Sequence, residues 1–104
     1  VPDRIVIAGN ANLDPRAGEG RRGAIQELIS DPRLNDPLPS APTAHWEHDN
    51  GGSLRVSYIL PDAHWAVIDA GVFDPAPSDP LSMYLGEDGL AAGPHRLVWV
   101  ELGL

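Results

Sequence analysis

The 104-residue chain has no cysteine. That removes a disulfide framework, a thiolate metal site and a thiol nucleophile, and it leaves the redox compartment unread. No apolar run approaches the roughly 20 residues that a bilayer-spanning helix requires, and the chain does not open on the charged and apolar regions of a signal peptide. A soluble chain of open localisation is the expectation. Positive charge is scarce and of one kind: all seven basic residues are arginine, against 15 acidic residues, for a formal net charge of −8. That balance argues against a general nucleic-acid or anionic-membrane surface, because such partners reward cations that neutralise phosphates. No initiator methionine precedes Val1, which predicts a piece of a longer polypeptide. No internal repeat is present.

What is present is enough for one core. The chain is 42% hydrophobic with three tryptophans, and its 11 glycines and 11 prolines predict many turns. "RIVIA" (residues 4 to 8) is nearly continuous and β-branched, the pattern of a central strand covered on both faces. Ile25, Leu28 and Ile29 fall at helical spacing, and "SDP" at Ser30 to Pro32 ends that helix. Leu34 to Gly52 reads as a long surface loop pinned by Trp46. "LRVSYIL" (54 to 60) alternates apolar Leu54, Val56, Tyr58 and Leu60 with polar Arg55 and Ser57, as a strand with one exposed face should. "WAVIDAGVF" (65 to 73) is expected to pair with it as a hairpin, with Asp69 and Gly71 marking a bulge or bend. "LSMYLGEDGL" holds at most a helical turn or two, and "HRLVWVEL" (95 to 102) is the last strand. The order predicts a single α/β domain over residues 1 to 104, with a largely antiparallel or mixed sheet and one main helix.

Asn10 and Asn12 stand two apart at the end of the first strand, so both amides are expected on one side of it, where they suit a phosphate or a metal-bound water. The alternative is ordinary Asn/Asp turn chemistry before Pro15. Arg21 and Arg22 begin the helix, where the dipole disfavours cations; they are candidate anion ligands, with Glu19 and Glu27 as competing salt-bridge partners. His45 and His48 in "HWEH" have a chelating spacing if helical, but they lie in a predicted loop. His95 opens the last strand, within reach of the first, and a hydrogen-bonded structural histidine is the competing role.

Together, "IVIAGNANLDP", "LRVSYILP" and "GPHRLVWVEL" resemble, in order and spacing, the closing half of the endonuclease/exonuclease/phosphatase family. Its members read G-D-x-N, R-x-D-Y-I and S-D-H at these points. The resemblance implies half of that family's α/β sandwich, a metal-dependent phosphoester hydrolase with Mg²⁺ or Mn²⁺, and a phosphoester substrate of unread class. It assigns Asn12 to the scissile phosphate or catalytic water, and His95 to charge on the phosphoryl oxygens. Arg21 and Arg22 are the substrate-binding candidates.

Three family carboxylates are replaced. Asn10 stands at the aspartate that activates water, and an amide takes up no proton. Ser57 stands at the aspartate that orients the terminal histidine, and supplies no charge to favour an imidazolium. Pro94 stands at the acid before that histidine. Asp14 is the one local carboxylate that could substitute. A poor catalyst is therefore expected from this chain alone, with a binding or dimerisation module that keeps the fold as the alternative. Half a sandwich would also leave a sheet face bare. Val6, Val56, Tyr58, Val67, Val98 and Val100 are the expected lining, and covering about 600 Å² of apolar surface is worth on the order of 15 kcal/mol before association costs. A homodimer, sheet against sheet, follows as an expectation.

Overall fold

A computed structural model describes residues 4–17, 20–38, 41–46, 52–91 and 93–104. Among the described residues, six strands form three two-stranded antiparallel sheets: β1 (Val6–Asn10) with β4 (Ser57–Pro61), β2 (Ala44–His45) with β3 (Ser53–Leu54), and β5 (Ala66–Phe73) with β6 (Leu97–Gly103). One α-helix, α1 (Arg22–Ile29), and one 3₁₀ helix (Pro80–Leu85) complete the α/β arrangement.

The helix forms where the apolar spacing predicts it. Ile25 is 2% exposed and packs with Tyr58 and Leu60 of β4, flanked by Leu13, Leu28, Ile29 and Leu34. Ser30 ends it, donating its backbone N–H to Gln26, two residues before Pro32. A second cluster holds Ala44, Leu54 and Val56, with Ala17 and Trp46 against it. The molecule measures 45 × 31 × 18 Å, with a radius of gyration of 14.7 Å, above the roughly 13 Å of a closed domain of this length. Its thinnest dimension accommodates a sheet layer and one helix.

Four expectations are corrected. β1 is not covered on both faces: all five of its residues are exposed and, among the described residues, β4 is its one partner strand. Its apolar run is a surface in this chain. The 65 to 73 strand does not pair with the 54 to 60 strand. Asp62 takes the backbone N–H of His64 on its carboxylate and that of Trp65 on its carbonyl, which turns the chain out of line with β4. β5 then pairs with β6 from Ala66↔Gly103 to Phe73↔Leu97. The expected irregularity lies in that ladder, a register shift between Val67 and Asp69. Gly71 opposes Trp99, whose ring a β-carbon there would meet at 2.7 Å.

The long loop is not wholly at the surface. Thr43 and Ala44 are 1% and 0% exposed, and β2 runs through its middle. Finally, Arg55 does not face solvent. It is 5% exposed, its guanidinium grips both carboxylate oxygens of Asp36, and it lies 4.6 Å from the centre of the Tyr58 ring. A guanidinium with a bidentate carboxylate partner tolerates burial that a lone cation does not. Burial likewise pushes the Tyr58 phenol up to about 12, with its hydroxyl 2.5 Å from the carbonyl of Leu13 and 2.9 Å from that of Arg55.

Candidate functional site

The end of β1 meets the start of β4. Asn10 is the direct cross-strand partner of Ser57, so antiparallel pairing brings together two positions far apart in sequence. Past Asn10 the ladder changes: Ala11 and Asn12 both donate their backbone N–H to Val56 O, at 2.8 and 3.2 Å. Two residues opposite one is the signature of a bulge. Asn12 has φ of 55°, the left-handed region that asparagine tolerates better than most. The simple two-residue alternation expected to place Asn10 and Asn12 on one side therefore stops at Asn10.

The Asn10 side-chain oxygen accepts the Asn12 backbone N–H at 3.3 Å. Asp14 does the same for Arg16 and Ala17 at 2.7 and 3.0 Å, and its other oxygen takes the Arg55 N–H at 2.6 Å. The loop "NANLDP" is thus held by Asn/Asp turn chemistry, the alternative left open by the sequence. Asn12 is exposed and, among the described residues, its side-chain amide has no hydrogen-bond partner.

From this bulge a strip of backbone leads to His95. Val56 and Ser57 donate their N–H groups to Thr43 Oγ1, both at 3.0 Å. Thr43 donates to Leu54 O and accepts from Arg96 at 2.8 Å, and Ala44 bridges His95. Asn12, Val56, Thr43 and Arg96 therefore follow one another across the strip, with His95 next to Arg96 and opposite Ala44. Asn12 and His95 lie on it with two chain segments between them. The His95 ring stands edge-on to Trp46, with centroids 5.6 Å apart. Its Nδ1 is buried and unpaired among the described residues, so the Ser57 hydroxyl does not hold it.

Arg22 donates to Arg16 O at 3.1 Å, and Arg21 is the uncapped residue before α1. Among the described residues neither forms an ion pair; Glu19 lies outside them, as does His48. Asn10, Asn12, Ser57 and His95 offer amide, hydroxyl and imidazole groups, while Asp14 accepts three backbone N–H groups. Among the described residues no three histidine or acidic side chains converge as a metal shell. Mg²⁺ and Mn²⁺ are hard cations held through carboxylates, and this donor set does not fit one.

Sequence reasoning missed a second cluster. His45 Nδ1 lies 2.6 Å from Ser53 Oγ, its Nε2 lies 2.6 Å from Asp74 Oδ2, and Arg96 Nε donates to Asp74 Oδ1 at 2.9 Å. Burial pushes the Asp74 carboxyl up, but the hydrogen bonds from His45 and Arg96 outweigh it and hold the group below its ordinary value. The one available signal was Gly52 directly before Ser53, a glycine with φ of 76°.

The model of the endonuclease/exonuclease/phosphatase family matches residues 2–79, and the chain belongs to that family. The matched span contains Asn10, Asn12, Arg21, Arg22 and Ser57; His95 lies beyond it. No curated protein and no solved structure matches the chain.

Proposed function

We propose that this chain is the phosphate-facing part of a phosphoester hydrolase fold, with slight catalytic power of its own. The observation that carries the reading is the pairing of Asn10 with Ser57 beside the exposed Asn12 amide. That edge offers neutral hydrogen-bond donors to phosphoryl oxygens, with His95 on the same strip as the imidazole that would stabilise their charge. It offers no carboxylate to take a proton from water, and the loss of such a group costs orders of magnitude in rate. The metal dependence of a hydrolase enters through the resemblance, and no step here is routed through a cation.

The test is hydrolysis of bis-p-nitrophenyl phosphate by the purified chain with Mg²⁺ or Mn²⁺. No turnover above buffer is expected. Robust, chelator-sensitive turnover lost in His95→Ala would overturn the reading.

A second reading, a binding or dimerisation module that retains the fold, is favoured by one observation. β1 is exposed throughout, with Val6 and Ile7 at 42% and 40%, and Ile5 just before it at 38%. Of the residues expected to line a bare face, Val56 and Tyr58 are instead in this chain's own core, at 2% and 5%, while Val67 is 37% exposed. A sheet-to-sheet homodimer would therefore centre on β1 and β5 rather than on β4.

A further inference from the structure

We infer that Ser53, His45 and Asp74 form a second site, a serine nucleophile with its base, suited to acyl transfer from short-chain carboxylic esters. The inference is independent of the phosphoester reading and uses none of its residues. Three side chains from three segments converge: Ser53 and His45 are direct partners across β3 and β2, and Asp74 follows β5 by one residue. Both hydrogen bonds are 2.6 Å, within the reach that a nucleophile and its base require.

The partners decide where the protons sit. Asp74 receives the Arg96 guanidinium on one oxygen, which keeps it ionised and acceptor-only, so the imidazole presents Nε2–H to its other oxygen. With the ring neutral, Nδ1 carries the lone pair and accepts from the Ser53 hydroxyl. This is the nucleophile, base and orienting carboxylate logic of serine hydrolases with the two ring nitrogens exchanged. His45 partners Pro94 and Ser53 while the neighbouring Ala44 partners His95, so strand alternation sends His45 and His95 to opposite faces of the strip.

Ser53 opens on a cleft of about 230 Å³ lined by Asp14, Pro15, Arg16, Ala17, Pro42 and Arg55. The proline and alanine walls fit a small acyl group, and Arg16 also lines the cleft. The His45 and Asp74 side chains are 31% and 33% exposed, so a small reagent reaches them.

In the reaction, Ser53 Oγ bonds to the ester carbonyl carbon as its proton passes to His45 Nδ1. The carbon to alkoxy-oxygen bond then breaks, and the leaving alkoxide takes that proton. Water repeats the sequence, releasing the carboxylic acid and restoring the serine. Asp74 acts through His45, as a positioning residue.

A fluorophosphonate probe tests the site directly: Oγ bonds to phosphorus, fluoride leaves, and peptide mapping by mass spectrometry locates the adduct. The expected result is a single adduct at Ser53, absent in Ser53→Ala and formed about 100-fold or more slowly in His45→Ala, the scale of a lost general base. Asp74→Asn should slow it, and Asp74→Glu should recover part of the rate, a recovery that a purely structural role does not predict. Circular dichroism of each variant establishes that it is folded. A folded wild-type chain with no adduct at Ser53, or one in which His45→Ala labels at the wild-type rate, overturns the inference.

Discussion

Removing one oxygen atom at Thr43 should cost more than removing most of the surface ion pairs together. Thr43 is 1% exposed, and its Oγ1 accepts from the backbone N–H groups of Val56 and Ser57. Thr43→Val keeps the shape and deletes the acceptor. A buried donor left unsatisfied costs roughly 1–3 kcal/mol. Val56 is 2% exposed and takes a large share of that range, whereas Ser57 is partly exposed and water relieves its N–H. The sum is about 2–4 kcal/mol, a large part of the roughly 5–15 kcal/mol that separates folded from unfolded domains. For a chain of this size it corresponds to a fall in Tm of about 10–25 °C. Urea unfolding should show a lower midpoint with an unchanged slope. Thr43→Ser keeps the hydroxyl and loses one methyl group, about 1 kcal/mol. The reasoning fails if Thr43→Val lies within about 0.5 kcal/mol of wild type, or if Thr43→Ser is the worse of the two.

Two further outcomes are expected. Burial raises the Asp62 carboxyl, but hydrogen bonds from the Ile5 N–H and from His64 outweigh it and leave the group below its ordinary value, as with Asp74. Both contribute stability above the unfolded carboxylate range near 4 that is lost as pH falls through their lower folded values, so Tm should be flat from pH 7 to 5 and drop below about 4, with a shallower drop in Asp62→Asn. Light scattering coupled to size exclusion should give twice the 11.1 kDa chain mass at tens of micromolar; a well-folded monomer there would refute the dimer.

What the sequence made legible is local. Ile25, Leu28 and Ile29 announce α1 because helical periodicity needs no distant partner, and Asp69 marks the irregular strand, whereas Gly71 pairs in register with Trp99. What it hid is non-local. Alternation puts Arg55 in water, and only its pairing with Asp36, 19 positions away, puts it in the core. β2 is two residues long among prolines, too short to show a period, yet Thr43 just before it ties the bulge at Asn12 to the segment before β6. The partner of β5 depended on a turn at Asp62, whose carboxylate and carbonyl capture the backbone of His64 and Trp65. The Ser53, His45 and Asp74 cluster was unreadable because it needs that same β2 to exist.

The pairing of Asn10 with Ser57 bears on two of the three acids that the resemblance leads one to expect. The resemblance places an aspartate at each of these positions, and the ladder sets them directly across from one another, with β-carbons about 5 Å apart. Two carboxylates so placed would repel one another. An amide at one position and a hydroxyl at the other remove the repulsion, keep donors facing the edge, and let Asn10 spend its oxygen on the backbone of Asn12. The stability of the strand pair and the chemistry of the edge are in opposition here, and these two residues resolve it in favour of the strand pair.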